Sequence, residues 1–352
     1  MPTEIELLKE LVAIPSVSGT EEAIARFLED TARRAGLDVV TDEASVTISV
    51  ESGRPGPTLA FISHLDVVPP GEGWTRDPFV PVIEGTRLYG RGSGDAKASV
   101  ASMTLAAADV GGSLGRGRLL VIMGYGEETR NTTMGKAVER AGSVDAAVVG
   151  EPTNLNAAVA QRGLMMADLI GRGDQRHAGY AGDDGAFTNA IIALARDLAR
   201  LDGLVNERVH PILGVTTVTP TMLAAGVSRN VTPPAAKAVL DIRSTPAWPH
   251  HELAAALQER LECELVITSS RLVPCETPAN SHLLEVFRKV RPSIGTFGSP
   301  TCSDWVFVRQ ADAIKCGPGT SRRSHTPDEY VDLPEVSEAR GFYAAVAKEY
   351  LK

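Results

Sequence analysis

The chain has 352 residues, 43% of them apolar and 22% charged, which fills a sizeable core and makes two domains the expectation. A formal net charge of -9, from 35 Lys and Arg against 44 Asp and Glu, excludes the basic surface that nucleic acids and acidic membranes require. No run approaches the roughly 20 apolar residues that span a bilayer, the first residues show no signal-like pattern, and Cys263, Cys275, Cys302 and Cys316 form no C-x-x-C pair, so a cytoplasmic protein without a zinc ribbon or disulfide framework is expected.

Taken in chain order, Thr3-x-x-Glu6 is a capping box, and Leu7, Leu8, Leu11 and Val12 then recur on one helical face. A second helix opens near Thr20 and runs through Ile24, Phe27 and Leu28 to a C′ glycine at Gly36. Apolar, β-branched runs predict strands at 46–50, 59–63, 119–123 and 146–149, with helices over 98–109 and 135–141 between them. That alternation implies an α/β layer fold. From about Gly163 the pattern changes to a strand at 164–170, a glycine-rich loop, a helix over 187–201, strands at 215–224 and 237–243, a helix over 250–261 and a strand at 264–268. The order βαββαβ is ferredoxin-like. A helix over 283–290 and a tail carrying a histidine follow. The simplest organisation is a catalytic domain of residues 1–162 and 272–352, its mixed sheet flanked by helices, interrupted by an inserted domain of residues 163–271.

Six acids and histidines sit in small-residue or glycine-rich frames: His64 in LAFISHLDVVPPG, Asp95 in GRGSGDAKAS, Glu127 and Glu128 in VIMGYGEE, Glu151 in VVGEP and His325 in GPGTSRRSHT. Four of the frames follow an apolar run, which reads as a buried strand releasing a polar residue at its exit, where α/β sheets build sites. Asp66 shares a strand face with His64 and suits a carboxylate that orients a metal-binding imidazole. Of the adjacent glutamates, one can bind metal while the other takes a proton from water. The joint set is two His and four carboxylates, suited to Zn²⁺, Co²⁺ or Mn²⁺ and not to thiolate-seeking metals.

In this order, SHLDVVPPG, GRGSGDAKAS, GEE, VVGEPT and GPGTSRRSHTPDE resemble the M20 metallopeptidases and amidohydrolases over essentially the whole chain. The resemblance implies one metal on His64, Asp95 and Glu151 and a second on Asp95, Glu128 and His325, with Asp95 bridging, zinc as the first choice of ion and a cis peptide at Asp95–Ala96. It makes Glu127 the general base and Asp66 the partner of His64. In the inserted domain, GRGDQRHAGY implies that His177 stabilises the oxyanion in a neighbouring subunit, and hence a homodimer through that domain. SRNVTP and LDIR imply substrate contacts from Asn230 and Arg243. A substrate α-carboxylate needs a fixed cation, for which Arg243 is the first candidate and Arg322 and Arg323, near His325, the next, while Asp304 is a candidate partner for a substrate ammonium. Longer segments, among them VVGEPTNLNAAVAQRGLM, resemble most the acetylornithine and succinylornithine deacetylase branch, implying hydrolysis of N-acetylornithine in arginine biosynthesis. Succinyl-diaminopimelate desuccinylase, another N-acyl-amino-acid deacylase, or a dipeptidase or aminopeptidase of the same family remain the alternatives.

Overall fold

A computed structural model describes residues 2–129, 131–181 and 187–352. The capping box forms as read: the Thr3 side chain accepts from Glu6 N, the Glu6 carboxylate accepts from Thr3 N, and helix Glu4–Ala13 buries Leu7, Leu8, Leu11 and Val12. The second helix spans Glu22–Arg34, and Gly36 beyond it has the positive φ of 75° that a C′ glycine supplies. No helix among the described residues is long and apolar enough to cross a membrane.

The chain divides into two compact units, Met1–Val159 with Thr277–Phe297 and Ser303–Lys352, and Ala160–Glu276 with Gly298–Cys302. The expected boundaries therefore shift by a few residues, and Gly298–Cys302 leaves the first unit for the second. The reason is local: Arg162 N donates to Ser299 O at 3.1 Å, and a side chain at Gly298 would lie 2.6 Å from Leu213.

In the first unit the sheet runs in the order Asp38–Thr41, Ser45–Glu51, Arg118–Gly124, Thr58–His64, Ala146–Val149 and Asp312–Lys315. The four strands Arg118–Gly124, Thr58–His64, Ala146–Val149 and Asp312–Lys315 are mutually parallel, and the outer ones antiparallel. Thr58–His64 and Ala146–Val149 are buried at every position, as a strand covered on both faces must be. Parallel strands end on one edge, so His64, the segment after Gly124 and the segment after Val149 emerge together. Helix Lys97–Val110 is Ala- and Ser-rich, which lets helices Glu4–Ala13 and Leu333–Tyr350 approach it closely over a core that includes Phe61, Met103, Val121, Phe342 and Tyr343. The C-terminal helix Leu333–Tyr350, absent from the sequence expectations, buries Val336, Ala339, Tyr343, Val346 and Tyr350 at three- and four-residue spacing.

In the second unit the strands take the order Thr217–Ala225, Ala235–Ser244, Gly163–Arg172, Glu264–Leu272, all antiparallel, with helices Ala190–Leu198 and His250–Arg260 between them in sequence. This is the βαββαβ order. Helix Ala190–Leu198 is shorter than expected, because Asn189 caps it by accepting from Ile191 N and Ile192 N. Residues 182–186 of the expected glycine-rich loop lie outside the described residues.

The first unit also packs two loops almost without clearance. A Cβ at Gly317 would meet Ser99 Oγ at 2.5 Å and Glu151 O at 2.6 Å. Gly317→Ala should therefore destabilise by about 1–3 kcal/mol, read as a lower urea midpoint. An unchanged midpoint would mean that the Glu151 backbone yields freely.

Candidate metal centre

His64 closes its strand with a side chain 1% exposed. Its Nδ1 lies 3.0 Å from the carbonyl of Asp66, and a carbonyl can only accept, so the neutral ring carries its proton on Nδ1. Nε2 is then the bare nitrogen. It is buried without a hydrogen-bond partner and faces Asp95 Oδ1 at 3.4 Å and Glu151 Oε1 at 3.8 Å. A lone pair aimed at two carboxylates is repulsive unless a cation lies between them.

The Asp66 side chain does more than face His64, from which its Oδ1 is 3.5 Å away. Its Oδ1 accepts from Glu127 N at 3.0 Å and its Oδ2 from Glu128 N at 3.1 Å and Ser18 Oγ at 2.6 Å. One buried carboxylate thus clamps the turn that presents both glutamates, through charge-assisted bonds of about 1.5–3 kcal/mol each. The carbonyl, not the carboxylate, is the nearer partner of the imidazole.

Asp95 leaves the glycine loop just before helix Lys97–Val110, and the Asp95–Ala96 peptide is cis, as the resemblance implies. Asp95 is common to two ligand sets, His64, Asp95 and Glu151 and also Asp95, Glu128 and His325, and within each set the ligand atoms lie within 4.8 Å of one another. His325, at φ 63°, reaches Glu128 with Nε2 at 2.9 Å and Asp95 Oδ2 at 3.7 Å. Glu127 lies beside the sets, its Oε1 accepting from Asn131 Nδ2 at 3.4 Å.

The electrostatics are those of an anionic cluster short of positive charge. Burial, and then the charges of Glu151, Asp304 and Glu128, push Glu127 well above the carboxylate range against the pull of His64. Burial and Asp95 push Glu151 up to about 8. Burial also raises Glu128, against the hydrogen bond from His325. Asp95 goes the other way, down to about 2: burial raises it, but the His64 ring, Ser324 and His325 together outweigh that. Burial disfavours protonated His64, yet its contacts with Asp66, Asp95 and Glu127 hold its pKa well above the usual histidine value. His325 is raised by its bond to Glu128. Carboxylates and histidines gathered in this way are mixed N/O donors, and such donors fit divalent ions.

The sequence-derived residues do not all gather here. His177 and Asn230 belong to the second unit and come together there, since Ala178 N donates to Asn230 O at 2.8 Å and His177 bridges to Val231. His177 is exposed, with Nδ1 accepting from Gly179 N and the ring against Tyr180. Arg243, in the same unit, turns its fork onto Asp241, with Nε to Oδ1 at 2.7 Å and Nη2 to Oδ2 at 3.0 Å. Arg322 and Arg323 are exposed in the first unit, and Arg323 lies over the Tyr330 ring at 5.0 Å. Asp304 is 1% exposed, and burial pushes it up to about 7 against the pull of His64 and Asn131. Sequence reasoning missed the buried charges Arg91, Lys97, Lys315 and Glu329. For Arg91 the one available signal was a large cation held between two glycines, Gly90 and Gly92.

The model of peptidase family M20/M25/M40 matches residues 60–349. A succinyl-diaminopimelate desuccinylase of Methylorubrum extorquens (strain PA1) is 29% identical over 385 aligned residues, covering 98% of each chain. An acetylornithine deacetylase of Erwinia tasmaniensis is 27% identical over 388, covering 99% of this chain and 98% of the relative. Among solved structures, aminopeptidase PepT from Bacillus cereus superposes with a TM-score of 0.81 at 19% identity, covering 99% of this chain and 98% of its own, a likeness of fold.

With Glu151 pushed up to about 8 and His64 raised above the usual histidine value, an ion taking either group competes with its proton. Metal uptake should release protons, and apparent affinity should rise between pH 6 and pH 8, roughly tenfold per pH unit per proton displaced. Titration calorimetry in buffers of different ionisation enthalpy measures this, and a pH-independent affinity would contradict it.

Proposed function

We propose, from the premise that this chain belongs to peptidase family M20/M25/M40, that it hydrolyses N-acetylornithine to ornithine and acetate. Membership makes it a metal-dependent amidohydrolase, and curated relatives named as a desuccinylase and a deacetylase support an N-acyl amino acid as substrate. The observation that carries the reading is a pair of ligand sets sharing Asp95, with a carboxylate of raised proton affinity, Glu127, beside them.

His64, Asp95 and Glu151 would hold one divalent ion and Asp95, Glu128 and His325 the other, zinc first, with cobalt and manganese also suited to these donors. Such ions supply polarisation of the acyl carbonyl and a lowered pKa for water in the site. Glu127 takes the proton of the attacking water and returns it to the leaving amine, a role that its raised pKa favours. Asp66 keeps Glu127 and Glu128 in place through their backbone amides. His177 of a second copy donates to the oxyanion, with Asn230 beside it as a substrate contact. Arg243, released from Asp241, or Arg322 and Arg323, receives the substrate α-carboxylate.

Support for a homodimer comes from the edge strand Thr217–Ala225 of the second unit, where Met222 and Leu223 are 68% and 66% exposed. An apolar, unpaired edge is a site for another strand, and an identical strand fits it with two-fold symmetry. Leu223→Lys should shift the mass seen by light scattering from dimer to monomer. A wild-type monomer would remove this part of the reading.

Metal-reconstituted enzyme should favour N-acetylornithine over N-succinyl-diaminopimelate and over a dipeptide by roughly tenfold or more in kcat/KM, about 1.4 kcal/mol of transition-state binding. The reverse order would give the activity to the desuccinylase or dipeptidase reading. Glu127→Gln should lower kcat about 10²- to 10⁴-fold with metal content unchanged. Wild-type turnover in that variant would sink the base assignment.

A further inference from the structure

The loops carrying Asp95 and His325 come from distant parts of the sequence, yet a small antiparallel sheet brings them to one edge. Its strands Val82–Glu84, Arg87–Tyr89 and Tyr330–Asp332 pair so that Tyr330 lies opposite Tyr89. The chain leaving Tyr89 is the glycine loop that ends on Asp95, and the chain entering Tyr330 is the segment that starts at His325. Gly90 N donates to the carbonyl of Glu329 at 2.9 Å, which extends the ladder by one step.

At that step the Glu329 side chain fills the inside of the glycine loop. Its Oε1 accepts from Gly94 N and Asp95 N, each at 3.0 Å, and its Oε2 accepts from Gly92 N at 3.1 Å and Arg91 Nη1 at 2.6 Å. Arg91 also donates from Nη2 to Pro70 O at 3.1 Å, and its guanidinium lies 5.1 Å from the centre of the Trp74 ring. Both partners are 1% exposed. The run from His325 to Glu329 is pinned as well, since Asp328 takes Thr75 N at 3.1 Å and Thr75 Oγ1 at 2.9 Å. A buried carboxylate with four donors converging on it fits one backbone conformation of the loop and little else.

We infer that Glu329, neutralised by Arg91, is a positioning residue that registers Asp95 against His325, so that the set Asp95, Glu128 and His325 takes its ion tightly only with Glu329 in place. The inference rests on the reading of both sets as metal sites. Two of the three ligands in this set, Asp95 and His325, depend on the Glu329 cradle. In the other set only Asp95 does, because His64 and Glu151 are delivered by strands of the large sheet.

Titrating the metal-free chain with Co²⁺, read by visible absorbance and calorimetry, tests it without reference to turnover. The wild type should bind two ions in resolved steps. Glu329→Gln keeps the volume but turns N–H groups toward donors, and should weaken one step by about 10- to 100-fold, the range for outer-shell partners of metal ligands, while the other step, which shares only Asp95, weakens less. Glu329→Asp keeps the charge but falls short of Gly94 N and Asp95 N; it should show the same selective loss and decides the matter if the Gln variant does not fold. Asp197→Asn, a buried acid of the second unit, is the control for lost stability and should leave both steps intact. A folded Gln or Asp variant binding both ions like the wild type overturns the inference, as does an equal loss in Asp197→Asn. A wild-type chain that binds no Co²⁺ overturns the metal reading itself, and this inference with it.

Discussion

Everything in the first unit is arranged around a cluster of buried carboxylates that has too little positive charge of its own. Asp95, Glu127, Glu128 and Glu151 converge with Asp304 close by, and the histidines among them, His64 and His325, are neutral unless protonated. At ~4 Å and an effective dielectric of about 20, each pair of like charges repels by roughly 4 kcal/mol. Burial first, and that repulsion second, raise Glu127, Glu128 and Glu151. Divalent cations relieve it more completely than protons, which is why the same geometry reads as a metal centre.

Holding mutually repelling groups together requires a scaffold stiffer than the repulsion. Parallel strands buried on both faces provide it, since their shared edge fixes where His64, the glutamate turn and Glu151 emerge. The backbone amides of the turn are then tied to Asp66, so repulsion between the glutamate side chains cannot open it. Close packing does the same for the last loop, where Gly317 leaves no room between Ser99 and Glu151. Binding chemistry and fold stability therefore oppose each other until cations arrive.

Much of this was legible along the chain. The strands 146–149 and 59–63 stood out because full burial writes an unbroken apolar run, and the polar residue at each exit marked a candidate ligand. Alternation at period two and helical repeats gave the βαββαβ order of the second unit. The short strands Arg87–Tyr89 and Tyr330–Asp332 were not legible, because three residues cannot carry a period, and their partners lie more than two hundred residues apart. The missed buried charges share that cause. Lys97 looks like an ordinary lysine in sequence, yet it is fully buried with Nζ donating to Ile14 O at 3.0 Å.

The sequence by itself determined which residues could bind metal and in which frames they sit, because donor chemistry and strand patterning are local properties. The sharing of Asp95 between two ligand sets was already implied by the family resemblance; only the tertiary structure decided that His64 presents Nε2 and not Nδ1, and that Asp66 grips the glutamate backbone more closely than the imidazole. It likewise decided that Arg243 is engaged by Asp241, and that His177 and Asn230 share one corner of the second unit. Each of these depends on distances between segments remote in the chain. Such distances are set by packing, which no local pattern encodes.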